Sequence, residues 1–408
     1  MKSSNRKQIT ILAFTLAIVM LGYGMVIPIF PFYIDQMGAS GSQLGLLTAT
    51  YAIMQFIFAP IWGVMSDRFG RRPILILGVL GNSITLLLFG LSTQLWMLFG
   101  ARALSGILSS ATLPTTMAYI ADSTNDDERG GAMGKLAAAM GLGVILGPGI
   151  GGWLAGESLS TPFYFAAALS LLALILIMTL LPESLPTEKR QQQKTEHNKL
   201  SMDILQRNFF SFVGLLFGMN FLVSFALTSF EGIFGLYALE KFGYGPQQMG
   251  TILISMGLVS MVVQGIITGA AIRRLGELNV IRIALLAGAG GFVAVVMATS
   301  FSTILLTIGF FVSAIALLRP AITSLISKQV SGGQGTAMGL SNAIMSLGRM
   351  VGPIWAGFLF DTNIHLPYLS GAAILFFGFI ISLCAIRNTL GEKDNRSAVK
   401  NLSQRHPA

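Results

Sequence analysis

The sequence predicts an all-α membrane protein: twelve transmembrane helices arranged as two pseudo-symmetric six-helix bundles. Three observations predict it. The chain has 408 residues, 53% of them apolar and 11% charged, with a mean hydropathy of +0.72, whereas soluble domains carry about 25% charged residues. Its apolar residues fall in runs of the roughly 20 residues that a bilayer crossing requires. The second half of the chain also repeats the first.

Twelve runs qualify as spans, at 9–30, 43–65, 73–92, 95–120, 131–155, 162–181, 209–238, 248–272, 280–299, 302–328, 336–360 and 366–386. The first follows Lys2, Arg6 and Lys7 and so resembles a signal peptide. It lacks a small-x-small cleavage site and continues through Pro28 and Pro31, so it is read as a retained span. The polar stretch 182–208 separates spans 6 and 7, which gives an N-terminal bundle at 1–181, a cytoplasmic linker at 182–208, a C-terminal bundle at 209–386 and a tail at 387–408.

An even number of spans puts both termini on one side. Of 26 Lys and Arg, Arg102, Arg319 and Arg349 fall well inside spans and Lys241 in an opposite-side loop, leaving 22 on the terminal side, with Lys135, Arg282 and Lys328 counted there because they stand at the terminal-side ends of their spans. This asymmetry predicts cytoplasmic termini and a multi-pass protein of the plasma membrane. It also accounts for the net charge of +9, so nucleic acid is not an expected partner. The single cysteine, Cys384, excludes an internal disulfide framework, and the scattered His197, His365 and His406 offer no metal site. No cofactor is expected.

The repeat has an offset of about 206 residues. Gly63–Gly70 matches Gly269–Gly276, Pro114 matches Pro320, Gly147-Pro148 with Gly152 matches Gly352-Pro353 with Gly357, and Thr161–Tyr164 matches Leu366–Tyr368. Four matches in register at corresponding helix ends predict duplicated halves. Two parallel six-span halves are the architecture of major facilitator transporters, which bind substrate near the midplane between halves.

The motifs carry the same resemblance. Gly63-x-x-x-Asp67-Arg68-x-Gly70-Arg71-Arg72 resembles the loop signature between helices 2 and 3 of the major facilitator superfamily. Gly63 would let two helices approach, Gly70 would permit the tight turn, and Asp67 could meet an arginine or a helix N-terminus. The resemblance implies a latch in which Asp67 and Arg71 tie this loop to helices 4 and 11, with Asp122 as an acceptor. Topogenic charge alone is the other reading. Gly141-x-Gly143-x-x-x-Gly147-Pro148-Gly149-x-Gly151-Gly152 resembles the antiporter motif of drug:proton exporters. Close helix packing through glycines and a proline bend would also explain it. Leu21-Gly22 with Pro28 and Pro31, and Leu98-x-x-x-Arg102-x-x-x-Gly106, resemble further motifs of twelve-span exporters, the second implicating its arginine in proton transfer. Arg102 could instead snorkel.

The stretch around Glu231, together with LLRPAITSLISK and FLFDTNIHLPY, is similar to the Bmr/Blt/NorA branch of the drug:proton antiporter family over nearly all spans. Two positions depart from that pattern. Ala316 stands where an aspartate is expected, and Arg349 replaces a small polar residue.

A carboxylate at mid-span costs on the order of 3 kcal/mol or more, so Glu231 needs a reason. The resemblance implies proton coupling by Glu231 with Arg102, Arg319 and Arg349. A static pair of Glu231 with Arg349 or Arg102 is the alternative. Expected substrate contacts are Met20, Tyr23, Tyr51, Met54, Gln55, Asn220, Phe230 and Phe234, since Met and aromatic side chains suit promiscuous apolar binding; core packing is the competing reading. Asp35 is read as a solvated loop residue. One embedded acid predicts poor export of dications. The expected function is proton-driven export of small amphiphilic drugs by a monomer in the lipid bilayer. A narrow-specificity proton antiporter exporting tetracycline or a sugar or other metabolite, and a transporter-like sensor without flux, are the alternatives. No ATP-binding loop or catalytic constellation is visible, so the chain is not expected to be an enzyme.

Overall fold

The computed structural model describes residues 3–156, 158–185, 212–330 and 334–383. Most of the expected linker, 186–208, and the whole tail, 387–408, lie outside these residues.

Among the described residues, eleven helices are long and apolar enough to cross a membrane. The twelfth expected span, the fourth, is broken into Leu95–Leu108 and Thr112–Ser123 by a 3-10 turn at Ser109–Ala111. Each piece alone is too short to cross. Span 1 (Ser3–Val26) stops before the Pro28 and Pro31 that the sequence placed at its end. A short helix, Phe30–Gln36, follows with Pro31 in its first turn and carries the exposed Asp35. Span 2 is Gly41–Phe69, span 3 Arg71–Leu91, span 5 Asp126–Leu154 and span 6 Thr161–Leu180.

In the second half, span 7 is Phe212–Phe242 and span 8 runs from Pro246 to Leu275 through a π-helical segment at Val263–Ile267. Spans 9 to 12 are Glu277–Met297, Phe301–Gln329, Gln334–Thr362 and Leu366–Leu383. Span 7 therefore runs four residues past its expected end. Glu231 lies 11 residues from Phe242, about 16 Å, deeper than the roughly seven residues read from the sequence.

The repeat is visible in the backbone. Gly70 (φ 106°, ψ 158°) ends span 2 and Gly276 (φ 75°, ψ 155°) ends span 8. Both lie in a region nearly closed to other residues, so each half makes the same turn. Pro148 and Pro353 sit inside spans 5 and 11 at matching places.

The halves meet where glycines let backbones touch. Gly143, Gly147 and Gly151 face Met20, Gly24 and Met25 on span 1, while Gly149 and Gly152 face Ile254 and Gly250 on span 8. Span 11 mirrors this arrangement. Gly348 and Gly352 pack on span 7, while Pro353 and Gly357 pack on Gly45 and Gly41 of span 2. All these cross-half contacts lie toward the face away from the termini, here called the distal face. Toward the terminal face the halves part: Gly63 faces open space, and Ile57, Ile61 and Val64 are exposed. The close helix approach expected at Gly63 is therefore absent in this conformation.

A carboxylate fastens the distal seam. Asp361, at the end of span 11, accepts from the Ser42 N–H at 3.0 Å, in the first turn of span 2, where backbone donors lack intrahelical partners. Asp361→Ala is expected to weaken this closure by about 1 kcal/mol. The check is about fivefold faster hydrogen exchange in the peptide containing Ser42. Nearby, Lys241 Nζ donates to the Tyr237 hydroxyl at 2.9 Å and the Val296 carbonyl at 2.6 Å. Burial, and secondarily the Lys241 charge, push the His365 imidazole below its usual range.

Candidate functional site

Between the halves lies a cavity closed on its distal side by the span 2–span 11 seam. Its lining includes Tyr23, Phe30, Thr48, Tyr51, Gln55, Arg102, Thr228, Glu231, Arg349 and Pro353. A smaller cavity in the first bundle shares Tyr23, Tyr51, Gln55 and Arg102 and adds Met20, Asn82, Ser105, Ser109 and Thr112.

Each polar wall residue has a helical cause. Glu231 and Thr228 are three residues apart on span 7 and share one face. Thr228 satisfies its own hydroxyl on the Ser224 carbonyl at 2.8 Å and so adds little cost to that face. The Glu231 side chain is exposed to the cavity, and no ion pair holds it among the described residues. The static pair with Arg349 or Arg102 is thus not formed in this conformation. Arg102 is not snorkelled to an interface. It is 5% exposed, and its guanidinium lies 4.8 Å from the ring centres of both Phe30 and Tyr51. Gly106, one turn on, lets span 4 approach Tyr51 and Met54 on span 2, which brings Arg102 under the Tyr51 ring. Arg319 is exposed on span 10, with Met345 Sδ 4.0 Å from its guanidinium, and does not line this cavity.

The structure brings Tyr23, Tyr51, Gln55, Arg102, Glu231 and Arg349 together. Five expected contacts are elsewhere or peripheral. Phe230 and Phe234 are each 1% exposed and stack at 4.8 Å within a cluster with Phe292, Phe311 and Tyr368. The reason is rotation: Phe230 is one residue, about 100°, from Glu231 on the helix, so it turns into the second bundle. Asn220, also 1% exposed, donates to Ser341 Oγ at 2.7 Å and ties span 7 to span 11. Met54 packs on Gly106, and Met20 reaches only the smaller cavity. The sequence reading missed Thr228, Phe30, Thr48 and Pro353. The i−3 spacing from Glu231 was an available signal for Thr228.

The loop between spans 2 and 3 forms its own network. Arg71 pairs with Asp67 at 2.5 Å and with Asp122 at 2.9 Å, and donates to Ser66 Oγ at 2.6 Å. Glu183, also missed from sequence, accepts from the backbone N–H of Arg71 and Arg72 at 2.8 and 3.1 Å. It thereby caps span 3 with a negative charge. Arg72 reaches the Met178 carbonyl, and Arg68 lies 5.6 Å from the Phe69 ring centre. The link to helix 4 is present through Asp122. The expected link to span 11 is absent among the described residues, because the halves are apart on this face. Arg71→Ala is expected to cost about 2 kcal/mol, since hydrogen bonds to charged groups contribute about 1.5–3 each but two of the carboxylates reach solvent. A lower thermal midpoint in detergent checks it.

A transporter fold with a polar, aromatic-walled cavity between two repeated halves is what the geometry defines. The Major Facilitator Superfamily sequence model matches residues 12–316 and 216–406, and the chain belongs to that superfamily. It is 37% identical to Multidrug resistance protein 2 of Bacillus subtilis (strain 168), over 98% of this chain and 100% of that protein. It is 34% identical to Multidrug resistance protein 1 of the same organism, over 92% and 95%, and 30% identical to Quinolone resistance protein NorA of Staphylococcus aureus, over 97% and 98%. Among solved structures it is similar to the nucleoside transporter NupG (TM-score 0.77, 17% identity, 95% of this chain and 99% of that one). It is also similar to a bacterial homologue of the human lysosomal transporter Spinster in an inward-facing, occupied conformation (TM-score 0.76, 14% identity, 95% and 98%). These likenesses show the fold.

Proposed function

We propose that the chain is a proton-coupled secondary exporter of amphiphilic drugs that works by alternating access. The observation that carries this reading is Glu231, one carboxylate exposed in a cavity walled by Tyr23, Phe30 and Tyr51. The names of the full-length relatives, two multidrug resistance proteins and a quinolone resistance protein, support the same reading. The protein works as a monomer in the plasma membrane, with both termini cytoplasmic and the terminal face as the drug-entry side. Spans 1–6 and 7–12 are the two moving bodies. Drug enters from the terminal face, the seam at Gly41–Gly45 and Pro353–Gly357 opens, and Glu231 takes a proton from outside as drug leaves. Asp67, Arg68, Arg71, Arg72 and Asp122 form the latch that closes the terminal face in the other conformation.

The test is efflux of a panel of dyes and antibiotics from cells and proteoliposomes under an imposed pH gradient. Gradient-dependent export of several unrelated amphiphiles is expected. Export of one compound alone would assign narrow specificity, and saturable binding without flux would assign a sensor.

A further inference from the structure

The charges around the cavity do not cancel. Its lining holds two guanidiniums, Arg102 of span 4 and Arg349 of span 11, against the single carboxylate of Glu231. Arg319 adds to Arg349 in the field acting on Glu231. Arg102 is buried without a carboxylate partner, and its Nε has no hydrogen-bond partner. The rings of Phe30 and Tyr51 offset only part of its desolvation: a desolvated cation–π contact contributes about 2 kcal/mol, against a penalty of several kcal/mol per buried ion. Arg349 is exposed to the cavity and likewise forms no ion pair among the described residues. Tyr51 lies within electrostatic reach of both arginines. Two unneutralised guanidiniums, one from each half, thus face the same space.

We infer that Arg102 and Arg349 bind a carboxylate of the transported substrate, so that the cavity selects zwitterionic or carboxylate-bearing aromatic amphiphiles over cationic ones. The planar guanidinium fork suits a carboxylate. Phe30 and Tyr51 then face the substrate's aromatic body, and Glu231 is left for its amine. An amine at Glu231 competes with the proton, which keeps substrate and proton exclusive. A dication finds one acid and two like charges. The assignment rests on the exporter reading for the identity of this cavity as the substrate site.

The test is equilibrium binding of rhodamine B, which carries a free carboxylate, and of its ethyl ester, which is cationic, to the purified full chain in lipid nanodiscs. No gradient is present, so failure of drug export leaves this result unaffected. The acid is expected to bind about tenfold tighter than the ester, the value of one charge-assisted hydrogen bond. Arg349→Ser removes that preference by weakening the acid alone, and Arg349→Lys, which keeps the charge without the fork, loses part of it. Equal or tighter binding of the ester to the unaltered protein overturns the inference, as does an equal loss of both dyes in Arg349→Ser or the absence of binding by either dye. The acid–ester comparison on the unaltered chain decides even if a variant fails to fold.

Discussion

Glu231→Gln is expected to abolish efflux driven by a pH gradient while leaving the protein folded and inserted. The side chain faces the cavity and carries no ion pair among the described residues, so the substitution breaks no bridge. The neutral amide has the same size and faces the same cavity, so the thermal midpoint is expected to hold. What is lost is the proton site. With nothing to protonate from outside, a gradient cannot bias the exchange of conformations, because a ligand shifts an equilibrium only by its differential affinity for the two states. Dye exchange at equal pH should persist. The measurement is paired efflux and exchange in proteoliposomes, and gradient-driven accumulation by the variant would remove Glu231 from the coupling role.

Gly45→Val is expected to force the distal seam open. A Cβ at Gly45 already overlaps the Pro353 carbonyl, and Gly357 packs on the Gly41 and Ser42 backbone. Neither partner is a flexible side chain that could swing aside. Overpacking of this kind costs about 1–3 kcal/mol. Here that cost falls only on the conformation in which spans 2 and 11 touch, so it moves the conformational equilibrium by roughly five- to 150-fold. A cysteine placed at Thr48, on the cavity wall, in a Cys384→Ser background reports the change. Membrane-impermeant maleimide added from outside intact cells should label it faster in the Gly45→Val protein, and transport should fall to background. Unchanged labelling would mean that the seam is not the outer gate.

The features most legible in the sequence were those with a period or a backbone requirement. Apolar runs marked the spans, and Gly70 and Gly276 marked the repeated turns that only glycine fits easily. The glycine row of span 5 marked close packing, and the structure divides it between span 1 and span 8. Less legible was the direction of individual side chains. Span 7 is mostly apolar, and although Asn220, Ser224, Thr228 and Glu231 fall on one face at helical spacing, that stripe does not by itself tell that Phe230 and Phe234 fill the second bundle. The break in span 4 at Ser109–Ala111 lies four residues before Pro114, which cannot donate to the Ser110 carbonyl, a signal that the match of Pro114 with Pro320 obscured. The open terminal face was also unreadable, because one sequence must encode both conformations. Asp67 and Arg71 can therefore be ready for a partner on span 11 that this conformation does not present.

The central claim is that a single embedded carboxylate, Glu231, couples one proton to each cycle. The most direct test is the static-head distribution of an electroneutral dye in proteoliposomes held at fixed pH difference, with the membrane potential clamped at zero. One proton per dye predicts a concentration ratio of about tenfold per pH unit, since both correspond to about 1.4 kcal/mol. A ratio near a hundredfold per pH unit, or one independent of pH, would contradict the account.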